Sequence, residues 1–285
     1  MKPLLKWAGG KRQLLGQLIS RLPPKWNTYY EPFVGGGALL CELYNLGLLR
    51  RAVISDLNRE LINFYRVVQS SPDKLADALC DDRFKNDRAS YLAIRDRFNA
   101  IRSSPGRDIE RAALFCYLNR HCYNGLWRVN QSGEFNVPFG RYKKPSMPTA
   151  DQIAGFSRML ANVEIMDVDF AEAVKGARAF DFVYFDPPYQ PVSKTAYFTG
   201  YTAGGFDAKD QARLAELCRR LRERGVYVMV SNSNMPEIRR LYEGFEIEVV
   251  GANRSINSRA SRRKGTAEVI MTSYPRSESR ALAAG

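Results

Sequence analysis

The run Tyr29-Tyr30-Glu31-Pro32-Phe33-Val34 ends in three consecutive glycines, Gly35-Gly36-Gly37, and residues 38–49 then follow with helical character. Ala52-Val53-Ile54-Ser55 forms a second short apolar segment that ends on a carboxylate, Asp56. Strand, tight loop, helix and strand in this order make a βαβ unit. Its strands run parallel because a crossover separates them, so the chain is committed to an α/β sheet with helices on its faces.

The strand signal resumes at Val163-Glu164-Ile165-Met166 and at Phe182-Val183-Tyr184-Phe185-Asp186, where apolar content fits strands buried on both faces. A helix is expected over residues 207–224, with Leu214, Leu217, Cys218 and Leu221 inward and Gly225 as its stop, and a strand over 226–231. Residues 245–250 and 267–274, around a basic loop at 254–264, read as a closing hairpin. Near the amino terminus Leu14, Leu15, Leu18, Ile19 and Leu22 recur at helical spacing. Residues 58–148 change to helices rich in arginine and aromatics, with Ile109, Ala112, Ala113, Cys116 and Tyr117 on one face. The expected organisation is a sheet domain of residues 1–57 and 149–285 with an inserted lobe at 58–148.

Forty-three Lys and Arg against thirty Asp and Glu give a formal charge of +13, which favours a polyanionic partner such as nucleic acid without separating DNA from RNA. The five cysteines, Cys41, Cys80, Cys116, Cys122 and Cys218, form no Cys-x-x-Cys pair, and His121 is the sole histidine. No disulfide framework and no metal site is expected, and a histidine-dependent hydrolase or zinc nuclease lacks its material. The amino-terminal apolar run is short for a signal peptide and no later stretch is long enough for a bilayer, so a soluble intracellular protein is expected.

In open α/β sheets ligands sit beyond the carboxyl ends of strands, where the glycine loop, Asp56 and Asp186 all fall. Asp56 lies about 20 residues past the glycines, the separation at which an acidic side chain meets a ribose hydroxyl. These features alone fit several adenosine-bearing cofactors, a dinucleotide included, or a glycine turn beside a solvated aspartate. Asp186-Pro187-Pro188-Tyr189 is more specific: it offers an acceptor carboxylate, a carbonyl left unpaired by the prolines, and an aromatic face. That set suits an amine on a flat ring. The N6 lone pair of adenine is delocalised into its ring and attacks a methyl group poorly unless acceptors on the amine hydrogens favour a pyramidal nitrogen. A base turned out of its duplex could stack on Tyr189. A Pro-Pro turn that merely caps a strand has the same letters.

Lys6-Trp7-Ala8-Gly9-Gly10-Lys11, Glu31-Pro32-Phe33-Val34-Gly35-Gly36-Gly37 and Asp186-Pro187-Pro188-Tyr189, in this order, resemble the Dam-type DNA adenine N6-methyltransferases of the D12 class. Tyr117-Leu118-Asn119-Arg120, Tyr123-Asn124-Gly125-Leu126 and the stretch from Gly133 to Pro145 are similar to that family's recognition lobe, so the resemblance covers most of the chain. It implies a Rossmann-like methyltransferase sheet with an inserted, mainly helical DNA-recognition lobe, S-adenosyl-L-methionine as cofactor, and double-stranded DNA carrying GATC as substrate. It further implies a monomer in the cytoplasm, nucleoid-associated in a bacterium or encoded by a phage.

Carried over by position, the resemblance assigns the cofactor to Trp7, Lys11, Phe33, Gly35, Gly37, Asp56, Asp169, Phe170 and Asp186. Trp7 and Phe33 would offer π faces to adenine or a sulfonium cation, and Lys11 would hold the amino-acid end, directly or through neighbours. Catalysis falls to Asp186, Pro187 and Tyr189. Lys6, Leu126, Arg128 and Pro138 would read bases, Arg128 through the match of its fork to guanine. Tyr123 would fill the space of the flipped adenine, Asn124 would face its orphan partner, and Arg141 and Lys143 would contact phosphates. His121, Cys122, Trp127 and the 254–264 loop depart from the family pattern. An RNA or protein-glutamine amino-methyltransferase, or a DNA-binding regulator without catalysis, remains an alternative.

Overall fold

A computed structural model describes residues 1–102, 104–189, 206–251 and 267–276. In chain order its elements are α1 (Leu15–Ile19), β1 (Tyr29–Glu31), α2 (Ala38–Asn45), β2 (Ala52–Ser55), α3 (Arg59–Ser70), α4 (Pro72–Leu79), α5 (Arg88–Ala100) and α6 (Asp108–His121). They continue with α7 (Ala150–Leu160), β3 (Val163–Met166), α8 (Phe170–Ala173), β4 (Phe182–Phe185), α9 (Ala208–Glu223), β5 (Tyr227–Ser233), α10 (Pro236–Leu241), β6 (Glu246–Val250) and β7 (Glu268–Thr272). Among the described residues the strands form one sheet in the order β3-β2-β1-β4-β5-β7-β6. β1 to β5 run parallel, and β7 lies antiparallel between β5 and β6. This is the α/β sheet expected from the βαβ unit, with the Rossmann-like form that the resemblance implies.

The order explains where ligands can enter. From β1 the chain winds outward to β2 and β3, then returns to lay β4 on the other side of β1, with Tyr29 beside Phe182 and Tyr30 beside Val183. The loops after β1 and β4 therefore leave the sheet at the reversal point, where sheets of this kind form their ligand crevice. β4 is apolar throughout because both its faces are covered: Phe182 and Tyr184 join one core cluster, Val183 and Phe185 the other. Burial of side chains this large stabilises by about 1.5–3 kcal/mol each.

Helix starts follow their side chains. Asn58 accepts from Glu60 and Leu61 N–H ahead of α3, and Thr149 and Asp207 complete capping boxes on α7 and α9. Gly225 ends α9 in the left-handed region, as the sequence predicts. Two expected helices are shorter. The one over 38–49 stops at Asn45, where Gly47 takes φ 67°. The amino-terminal one breaks into a 3-10 turn at Lys11–Gln13 and the single turn of α1.

The single inward face expected for α6 is corrected. Leu114, Phe115 and Leu118 are buried along with Ala112, Ala113, Cys116 and Tyr117, because α3, α4 and α5 all pack against this helix. Arg111 on it ion-pairs with Glu60 and donates from Nη1 to the Phe98 carbonyl at 3.2 Å, with its guanidinium 4.5 Å from the Phe98 ring. The buried charge is thus partnered on every side. α3 also packs against α7 and β3, so the helices after β2 share the core of the sheet. No helix among the described residues is long and apolar enough to cross a membrane. The 254–264 loop lies outside the described residues.

Candidate active site

The glycine loop needs its glycines. Gly35 and Gly37 adopt φ 48° and 68°, conformations that side chains rarely take. A Cβ on Gly35 would stand 2.7 Å from Trp7 Cδ1, and one on Gly37 would stand 2.9 Å from the Tyr65 hydroxyl. Trp7 is thus laid against the loop, and Tyr65 Oη donates to the Gly35 carbonyl at 2.9 Å. Asp56, at the end of β2, accepts the Gly35 N–H at 3.1 Å through Oδ2 and the Asn58 N–H at 2.9 Å through Oδ1. Burial pushes its carboxyl up to about 6, against the pull of these two hydrogen bonds. Asp56 therefore shapes the loop directly, a role its spacing did not announce.

From the 3-10 turn near the amino terminus, Lys11 Nζ lies 2.8 Å from Oδ1 of Asp186, the residue just past β4, and 4.6 Å from the centre of the Tyr189 ring. Lys11 is 7% exposed, so this ion pair is shielded from water. Burial raises the Asp186 carboxyl to about 6, while Lys11 pulls it the other way and Glu268 adds to the rise. The resemblance assigned Lys11 to the amino-acid end of a cofactor, directly or through neighbours. In the structure it holds the carboxylate of Asp186.

A third set is aromatic. The Phe33 ring centre lies 5.4 Å from Phe170, 5.6 Å from Phe206 and 6.3 Å from Phe185. Asp169 caps α8 by accepting from Ala171 N at 3.0 Å and ion-pairs with Arg213, whose guanidinium stacks 4.2 Å from the Phe170 ring. Sequence reasoning missed Phe206, Arg213 and Tyr65. Each reaches the site from a separate element, and none belongs to a motif.

Lys6 links the crevice to the lobe. Its backbone N–H donates to Asn119 Oδ1 at 2.8 Å and its carbonyl accepts from Asn119 Nδ2 at 2.7 Å, as in a strand pairing. Its ammonium sits 3.9 Å from the Tyr142 ring centre, and burial and Arg120 lower its pKa. After α6 the chain turns through Tyr123–Gly125, with Asn124 at φ 54° and Tyr123 45% exposed. Tyr123 N–H donates to the Pro138 carbonyl at 2.8 Å, and bridges pair Cys122 with Phe139 and Val129 with Phe135. Residues 123–143 therefore form a cross-braced loop. Arg128 stands exposed on it, its guanidinium aimed by Asn136 through Nε to Oδ1 at 2.7 Å and Nη2 to the carbonyl at 3.2 Å. Leu126 packs on the core, while Pro138, Arg141 and Lys143 are exposed.

The departures at His121, Cys122 and Trp127 are packing positions. His121 is 2% exposed, stacks 4.0 Å from the Tyr117 ring and pairs through Nδ1 with the Tyr117 carbonyl. Trp127 packs against Phe98, Phe115 and Phe135 under the loop. They pack beneath the loop that carries Tyr123 and Arg128.

The sequence model of the D12 class N6 adenine-specific DNA methyltransferases matches residues 7–256. The Type II methyltransferase M1.LlaDCHI of Lactococcus lactis subsp. cremoris is 43% identical over 276 residues, 96% of both chains. The Type II methyltransferase M.MjaIII of Methanocaldococcus jannaschii is 42% identical over 96% of this chain and 99% of its own. The DNA adenine methylase of Escherichia coli is 37% identical over 96% of each. The chain belongs to the D12 class of adenine-specific DNA methyltransferases.

Proposed function

We propose that the chain takes a methyl group from S-adenosyl-L-methionine and places it on N6 of adenine within 5'-GATC-3' in double-stranded DNA, after turning the adenine out of the duplex. The observation that carries this reading is the pairing of β1 with β4, which sets Asp186 and Tyr189 beside the glycine loop, with Lys11 bridging to Asp186 at 2.8 Å. Methyl donor and acceptor amine then share one crevice.

The residues fit the cofactor. Phe33, Phe170 and Phe206 offer ring faces for an adenine, the half-buried Asp56 suits ribose hydroxyls, and Trp7 with Gly35 and Gly37 shapes the middle of the cleft. Asp169 acts beside them through its cap and its pair with Arg213. When bound, the cofactor supplies an electrophilic methyl on a sulfonium. Asp186 and the Pro187 carbonyl accept the two amine hydrogens of adenine and favour a pyramidal nitrogen, and Tyr189 stacks on the base. With Lys11 on Oδ1, the other oxygen of Asp186 is the acceptor for the amine. No strong base is required, since the methylated amine is acidic until its proton leaves.

Residues 58–148 serve as the recognition lobe. Lys6, Leu126, Arg128 and Pro138 read the site, Tyr123 fills the vacated space, Asn124 meets the orphan base, and Arg141 and Lys143 bind phosphates. The exposure of Tyr123 and the aimed guanidinium of Arg128 support these roles. Asn136 engages Nε and Nη2, so guanine is read through Nη1 and the outer edge of Nη2. The test is protection of GATC-containing duplex from a nuclease blocked by adenine methylation. Full digestion after incubation with cofactor would refute the site assignment.

A further inference from the structure

The Asp186-Pro187-Pro188-Tyr189 segment is gripped from behind at two points. Tyr189 Oη donates to Glu268 Oε2 at 2.6 Å, and Glu268, the first residue of β7, is 5% exposed. Gln211 on α9 donates from Nε2 to the Pro188 carbonyl at 3.2 Å and is 1% exposed. Its Oε1 accepts from Asn232 Nδ2 at 3.0 Å, and Asn232 Oδ1 accepts from Ser233 N–H at 2.8 Å. The Gln211 amide cannot turn over without losing both partners. Side chains far apart in sequence thus converge on one short loop.

That loop cannot orient itself. Neither Pro187 nor Pro188 has an N–H, so its backbone offers carbonyls and few donors. Gln211 fixes the Pro188 carbonyl and with it the plane of the peptide that leads to Tyr189, which constrains the neighbouring Pro187 carbonyl. The short phenol-to-carboxylate bond anchors the far end of the Tyr189 ring, so the ring is held at Cβ and at Oη. The geometry points to Glu268 and Gln211 as positioning residues of the methyl transfer: they set the plane of Tyr189 and the direction of the Pro187 carbonyl against the adenine. This rests on the proposed reading of the segment as the base pocket.

Glu268→Ala is expected to lower kcat about 10- to 100-fold, the worth of one charge-assisted hydrogen bond, with the KM for S-adenosylmethionine changed by less than about threefold. Glu268→Gln keeps an acceptor for the phenol and should recover kcat to within about threefold of the parent. Tyr189→Phe keeps the ring and removes Oη, so adding Glu268→Ala to it should cost little more. Duplex with 2-aminopurine at the target adenine reports stacking directly: fluorescence should be higher in Glu268→Ala and Gln211→Ala than in the parent at equal DNA occupancy. Parental kcat in Tyr189→Phe, or losses that multiply in the double variant, overturns the assignment, and Tyr189→Phe keeps the test open should Glu268→Ala not fold. Asp186→Ala separates the two ideas. If it also keeps parental kcat the pocket reading is wrong, whereas loss in Asp186→Ala alone removes only the positioning roles.

Discussion

The crevice between β1 and β4 and the loop at 123–143 are built on different plans. In the crevice the functional groups are themselves tied down: Lys11 to Asp186, Asp56 to two backbone N–H groups, Tyr189 to Glu268. In the loop the scaffold is fixed, through Asn119, Trp127 and the Pro138 carbonyl, while Tyr123 and Asn124 stand in solvent and the exposed Arg128 is aimed by Asn136. Under the proposed function the difference follows from the task. A transferring group needs acceptors placed before the reaction, whereas a reader of DNA needs free side chains on a firm base until the duplex arrives.

Substitutions on the two sides should fail differently. Asp186→Ala is expected to lower kcat by about 100- to 1,000-fold, the scale for loss of one preorganised group, with DNA affinity by filter binding unchanged. Equal losses in both would mean that the carboxylate serves binding. Trp127→Ala should destabilise the chain by about 3 kcal/mol, measured by urea unfolding, and should blur site preference while cofactor affinity persists. Arg128→Ala, with packing intact, should relax choice at one base position by about 1–3 kcal/mol and leave the preference elsewhere unchanged. A change spread over all positions would show that Arg128 contacts phosphate.

A smaller effect comes from pH. Asp56 and Asp186 carry carboxyl pKa values raised by burial to about 6, so both are ionised above that value and gain protons as pH falls through it. A protonated Asp186 loses its ion pair with Lys11 and one acceptor for the amine, so kcat should fall below about pH 6 while DNA binding through the loop holds. A flat kcat between pH 5 and 7 would separate these carboxyls from the chemistry.

The two regions were also unequally legible in the sequence. β4 could be read from four apolar residues ending at Asp186, and the glycine loop from its position between strand and helix, since local periodicity encodes both. The partners that aim the site could not. Glu268 opens a strand whose place between β5 and β6 is set by tertiary packing, and Gln211 is one polar residue on an amphipathic helix. Both lie beyond the reach of spacing rules. α6 misled for a related reason: a helix covered by several others has no polar face for periodicity to reveal. His121, Cys122 and Trp127 stood out by identity, yet only coordinates show that they pack beneath the loop.

The most direct measurement is modified-base sequencing of DNA from cells that express this chain or its Asp186→Ala variant. The account predicts N6-methyladenine in GATC with the parent chain and none above background with the variant. A mark on another base, another site, or equal marking by the variant would contradict it.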